Sequence, residues 1–252
     1  MQQLIRCFSW IVLAMAPAFG AVSFWAQPGA VISFCACIYD DVGYPISSQP
    51  VSWSVSAAPY SGYHNHNSPI RSPGFIDPPS GSITGPDGCA RGVYYGTDVA
   101  GVYWLESWAY TSVGPTYDYM EIQVRVFPEL VELPNYFVYQ KVGSTSTHPL
   151  SHYGTFGSVY TLQQICEEFY NTTGLIAGIN DMSLPWGGRF DLGPSYGGLW
   201  WGPPHNEHMW GRNADVPYTY LGSSGSIFVQ IAQSRGAQVV GESNHYHLRL
   251  PD

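Results

Sequence analysis

Apolar and polar residues alternate in short runs over the first half of the chain. Val51-Ser52-Trp53-Ser54-Val55 changes character at every step. Gly101–Tyr110 and Tyr119–Val126 read as two more strands. A period of two sends successive side chains to opposite faces, so each run reads as a half-buried strand. Asp40-Asp41-Val42-Gly43, Gly85-Pro86-Asp87-Gly88 and Gly114-Pro115 are turn signals between runs. No helical period intervenes. Short strands, frequent turns and a closing alternating strand predict an all-β sandwich over residues 21–127.

The second half has a different rhythm. Phe127-Pro128-Glu129-Leu130 opens a proline-marked stretch, residues 128–147, that reads as a linker. Beyond it, Leu162, Ile165, Cys166, Phe169 and Tyr170 recur at helical spacing. Thr161 followed by Gln164 has the spacing of a capping box and predicts the helix start there. Gly174 ends the helix. A second helix is expected over Ser226–Ser234, with Ile227, Phe228 and Ile231 inward and Gly236 as its stop. Ala237–Val240 and His245–Leu250 read as strands. Short helices alternating with short strands predict an α+β domain over residues 148–252. The chain is thus expected to be multidomain. In its general pattern the first half resembles bacterial immunoglobulin-like modules.

Composition narrows the classes. Aromatics are 15% and charged residues 11%, the reverse of a disordered chain. The formal charge is −9, and Lys141 is the only lysine. With no basic run, no nucleic-acid partner is expected. Residues 1–20 read as a signal peptide. Arg6 is its positive end, an apolar run follows from near Cys7 to Ala16, and Ala16-Pro17-Ala18 or Ala18-Phe19-Gly20 offers a cleavage site. A buried N-terminal strand and a membrane anchor are the competing readings. No later segment is long enough to span a bilayer, so no membrane span is expected. A secreted or periplasmic protein follows from the signal. There Cys35 or Cys37, two apart on one strand face, is expected to bridge to Cys89 across the sandwich. Zinc held by cysteine is the competing reading, but no second cysteine pair supports it. Cys166 lies in the helical stripe and is expected to be a free buried thiol.

The chemistry concentrates in histidines. Four of the eight fall in two clusters, Pro204-His205-Asn206-Glu207-His208 and His245-Tyr246-His247. On an extended strand His245, His247 and Arg249 share one face, while Tyr246, Leu248 and Leu250 share the other. His208 and Asp215 are seven apart with Gly211 between them, a gap that suits a reversal. One imidazole from the last strand would complete a His-Asp-His set. Three protein ligands and an open fourth position describe a catalytic rather than a structural zinc. No His-Glu-x-x-His occurs, which excludes the helical zincin arrangement. His64-Asn65-His66 reads as a solvated loop tip.

His208-x-x-Gly211-x-x-x-Asp215 followed by His245-x-His247 resembles the zinc peptidases of the lysostaphin, D-Ala-D-Ala peptidase and hedgehog superfamily. The likeness is closest to penicillin-insensitive murein endopeptidases. Asp181-Met182-Ser183-Leu184-Pro185-Trp186-Gly187-Gly188 and the pair His205 and His208 are also similar to that group. The resemblance runs from about Asn180 to Leu250 and implies a hedgehog/DD-peptidase-like α+β domain. It makes His208, Asp215 and His247 the zinc ligands. His245 would be the base or the stabiliser of the transition state, and His205 would assist at the rim. The D-Ala-D-Ala carboxypeptidase branch instead pairs base and ligand as Glu-x-x-His. In that register Glu242 is the base and His245 the third ligand. Strand alternation favours His247, and both registers stand at this point.

The expectation is an exported zinc metallopeptidase acting on peptide bonds, with peptidoglycan cross-links as substrate. The sandwich would target or space it. Arg249, Arg189 and Arg212 are candidates to hold a substrate carboxylate. Trp186, Trp200, Trp201 and Trp210 are candidates to wall a groove, with core packing the equal alternative. The alternative is an adhesion or binding protein whose second domain is stabilised by metal but inactive.

Overall fold

Period-two runs become paired strands in a computed structural model that describes residues 5–11, 22–63, 73–112, 114–144, 150–189 and 205–252. The first unit comprises residues 1–61 and 69–124. Its strands are β1 Ile5–Ile11, β2 Val22–Ala26, β3 Val31–Tyr39, β4 Pro50–Ala57, β5 Phe75–Asp77, β6 Ser82–Ile83, β7 Cys89–Tyr95, β8 Gly101–Thr111 and β9 Gly114–Val124. They form one sheet in the order β1-β3-β7-β5 and a second in the order β2-β9-β8-β4-β6. Inward side chains of both sheets share one core, including Phe34, Trp53, Tyr94, Tyr103 and Ile122. Phe34 and Trp53 meet edge to face, with ring centroids 5.3 Å apart. The Trp53 indole N–H donates to the Pro78 carbonyl at 2.7 Å, so its polar end is satisfied inside.

Residues 5–11 pair in parallel with β3, from Ile5 opposite Ser33 to Ile11 opposite Tyr39. The apolar run that reads as a signal core also suits a strand, because both require a short hydrophobic segment. The expected cleavage sites lie outside the described residues.

The cysteine expectation needs correction. Cys37 bridges Cys89, but within one sheet and not across the sandwich. The β3–β7 register sets these two residues directly opposite each other. Cys35 is disulfide-bonded as well. Cys166 is free and buried, and burial pushes its thiol pKa up.

The second unit comprises residues 62–68 and 125–252. The linker expected over 128–147 belongs to it. Strands β10 Val131–Glu132 and β11 Tyr139–Lys141 pair with β12 Tyr153–Gly154 and β13 Ala177–Ile179. Leu133, Val138 and Tyr139 are buried in its core. These apolar residues tie the stretch to the core of the unit.

Helix α1 runs over Phe156–Thr173, starting ahead of the predicted Thr161. Thr155 is the N-cap, and its hydroxyl accepts from the Ser158 N–H at 3.2 Å. The Ser158 hydroxyl donates to the Gly211 carbonyl at 2.7 Å, a tertiary bond that fixes the earlier start. Gly174 closes the helix in the left-handed region at φ 69°. Of the expected stripe, Leu162, Ile165, Cys166 and Phe169 are fully buried, and Tyr170 is partly buried against the core. Strand β14 Asn213–Pro217, helix α2 Gly225–Ser234, strand β15 Gln238–Gly241 and strand β16 His245–Arg249 complete the unit. Their sheet runs β14-β16-β15. The described residues are mostly β-sheet with few helices. Among the described residues no helix is long and apolar enough to cross a membrane.

Candidate metal centre

The antiparallel register of β14 and β16 sets Asp215 directly opposite His247. Opposed residues of a pair share a face, so carboxylate and imidazole project together. The other face carries Ala214, Val216 and Leu248 into the core. Alternation predicts this for Leu248, whereas Asn213–Pro217, expected within a reversal, is a strand. His208 arrives from a 3-10 turn over His205–Trp210. The chain then reverses at Gly211, whose φ is +70°. A Cβ there would lie 2.6 Å from Leu130 Cδ2 and 3.2 Å from Gly154 Cα. Gly211→Ala is therefore expected to cost about 2 kcal/mol, from the left-handed backbone and the crowding together. Denaturant unfolding measures it, and an unchanged midpoint would contradict this role for Gly211.

His208, Asp215 and His247 bring one ligand atom each within 4.8 Å of one another. His208 Nε2 is 3.3 Å from Asp215 Oδ1, and His247 Nδ1 is 2.9 Å from the same oxygen. Metal–ligand bonds of about 2.0–2.1 Å in a tetrahedron set ligand atoms about 3.3 Å apart. His208 and His247 are 0% exposed and Asp215 is 1% exposed. His208 donates from Nδ1 to the Met182 carbonyl at 2.7 Å. That bond fixes the tautomer and turns the Nε2 lone pair toward Asp215. Burial holds the His208 pKa below the ordinary histidine value, against the pull of Asp215. Its neutral form, the form that ligates, is thereby favoured. Two imidazoles and a carboxylate in this arrangement could hold a divalent ion, and the donor set suits a first-row metal.

A second ring of side chains surrounds His247. The Asn213 amide donates from Nδ2 to His247 Nε2 at 3.0 Å, and Glu207 Oε2 is 3.7 Å from that same nitrogen. Arg249 donates to both Glu207 oxygens, at 2.5 Å and 2.9 Å. The Arg249 guanidinium also holds the Glu207 carboxyl below its usual pKa. Arg249 is a candidate to hold a substrate carboxylate; in the structure a carboxylate of the chain, that of Glu207, takes its guanidinium. Arg212 likewise pairs with Asp252. Asn213, Glu207 and the Met182 carbonyl were not singled out from sequence. Asn213 stands two residues before Asp215 on β14, so strand alternation could have found it.

The two candidate bases sit side by side. His245 Nε2 is 3.4 Å from Asp215 Oδ2 and 3.4 Å from Glu242 Oε2. Its Nδ1 donates to Asn244 Oδ1 at 2.7 Å. His245 is 8% exposed, which puts it at the edge of the buried triad. The backbone of His205 opens the 3-10 turn, and its side chain lies outside the described residues. So do His64, His66, Trp200 and Trp201. Trp186 lines a cleft of the second unit with Tyr63, Arg125, Glu129 and Tyr153. The Arg125 guanidinium stands 6.0 Å from its ring centroid.

No family profile and no curated protein matches this chain. Among solved structures, PbICP-C in complex with falcipain-2 is similar at 13% identity and a TM-score of 0.27, over 46% of this chain and 98% of that one. The titin domains z1z2 in complex with telethonin are similar at 16% identity and a TM-score of 0.27, over 94% of this chain and 82% of that one. Overlap at this level assigns the chain to no family.

Proposed function

We propose that this chain is an exported zinc metallopeptidase that hydrolyses peptide bonds in peptidoglycan cross-links. In this reading the first unit is an immunoglobulin-like sandwich. The second is an α+β domain of the hedgehog/DD-peptidase kind. The observation that carries the reading is the sharing of Asp215 Oδ1 by two buried imidazoles, one with its tautomer fixed by the Met182 carbonyl. The resemblance of the His208, Asp215, His245 and His247 spacing to that superfamily points the same way.

Zinc, when bound, supplies a Lewis acid that polarises a scissile carbonyl and acidifies a water. His208 through Nε2, Asp215 through Oδ1 and His247 through Nδ1 would hold it. To ligate, His247 moves its ring proton from Nδ1 to Nε2. Turning the Asn213 amide presents its oxygen to that proton. His245, at the edge of the triad, takes a proton from the attacking water and returns it to the leaving amine. Its two neighbouring carboxylates stabilise the charged ring in between. Glu242 supports His245 in this scheme.

Zymography on purified peptidoglycan tests the assignment. Clearing is expected with the purified chain, lost on chelation and restored by added zinc. A chain that holds metal but clears nothing would be the binding protein of the alternative reading. Clearing of casein but not of peptidoglycan would move the substrate to other proteins.

A further inference from the structure

The outward face of the β2-β9-β8-β4-β6 sheet has an unusual composition for a surface in water. Such faces ordinarily carry polar and charged side chains. Here β8 presents Trp104 and Trp108, and β9 presents Tyr117 and Tyr119. The register sets Trp108 opposite Tyr117, and Glu106 opposite Tyr119. On the edge strand β2, Trp25 stands opposite Gln123. Tyr117 is 59% exposed and Trp25 is 55% exposed, so these rings are not core residues. The Tyr117 and Tyr119 rings lie 6.3 Å apart and tilted by 31°.

The polar groups among the rings are acceptors held in place. Glu106 accepts from the Ser54 hydroxyl at 2.9 Å and from the Tyr117 hydroxyl at 2.8 Å. Glu121 accepts from the Ser23 hydroxyl at 3.0 Å and from Gln123 Nε2 at 3.2 Å. Each carboxylate keeps further lone pairs for a ligand. The five strands of this sheet contain no Lys or Arg.

We infer that this face binds an uncharged polysaccharide chain. A pyranose ring has a flat side of polarised C–H groups and a rim of hydroxyl donors. The C–H side matches the negative face of an indole or phenol ring. The hydroxyls match the oriented carboxylates, and such charge-assisted bonds are the strong ones. Single-stranded nucleic acid also stacks on aromatic rings, but its phosphates need the cations that this sheet lacks. An anionic lipid surface is disfavoured for the same reason. The inference does not depend on the metal centre and holds whether or not the second unit cuts peptide bonds.

Titration of the full chain with N-acetylglucosamine hexamer, and separately with cellohexaose, tests it. The readouts are tryptophan fluorescence and calorimetry. Saturable binding of at least one oligosaccharide is expected, insensitive to chelator and to raised salt. Trp108→Ala and the more exposed Tyr117→Ser should each weaken it at least about tenfold, the scale of one central aromatic contact. Circular dichroism and the thermal transition should be unchanged in Tyr117→Ser. The inference fails if neither oligosaccharide binds or if binding survives both replacements. It fails equally if heparin binds in their place, or if sedimentation shows that the face pairs two copies of the chain.

Discussion

Asp215→Asn is expected to strip the centre of metal while leaving the fold in place. The amide keeps the size of the carboxylate but loses its charge. Asp215 Oδ1 lies 2.9 Å from His247 Nδ1 and 3.3 Å from His208 Nε2, so one substitution weakens two of the three ligand pairs. Loss of a buried anionic ligand should lower metal affinity by at least about a hundredfold. Elemental analysis after gel filtration should fall from about one zinc per chain to near none. Asp215→Ala should lose the metal too. It should also destabilise the second unit by about 1–3 kcal/mol, because the buried His247 Nδ1–H is left without its acceptor. Full zinc occupancy in the asparagine variant would remove Asp215 from the ligand set and the proposed enzyme with it.

How much of this centre the sequence carried depends on the distance between the residues concerned. The faces of β16 were legible, because alternation within five residues decides where His247 and Leu248 point. The pairing of Asp215 with His247 was not, since it depends on a register formed across thirty-two positions. The same holds for Arg249, whose tie to Glu207 crosses from β16 to the 3-10 turn. Local signals also competed. Thr161 with Gln164 has capping spacing, yet Thr155 caps α1 because Ser158 is bonded to the distant Gly211 carbonyl. Prolines suggested a linker where Leu133 and Val138 are in fact core. In the first unit, alternation gave strands but not strand order. It therefore could not tell that Cys37 and Cys89 are neighbours within one sheet. Nor could it gather Trp104, Trp108, Tyr117 and Tyr119 on one face.

The last strand and the turn before it offer one base each, His245 and Glu242, and they are separable by replacing each in turn. His245→Ala is expected to keep zinc and to lower turnover on a peptidoglycan fragment by about a hundredfold to ten-thousandfold, the usual worth of a positioned proton carrier. Glu242→Gln is expected to keep zinc and to cost about tenfold, since its carboxylate serves only to hold the charged ring of His245. The asymmetry follows from position. His245 Nε2 lies 3.4 Å from the ligand carboxylate of Asp215, and Glu242 contacts that same nitrogen at 3.4 Å from the turn before the strand. The competing register predicts the reverse on both counts. There His245→Ala empties the centre, and Glu242→Gln abolishes turnover at full metal occupancy. Measuring zinc content and kcat on the same two preparations decides between them, because no single reading of the strand allows both patterns.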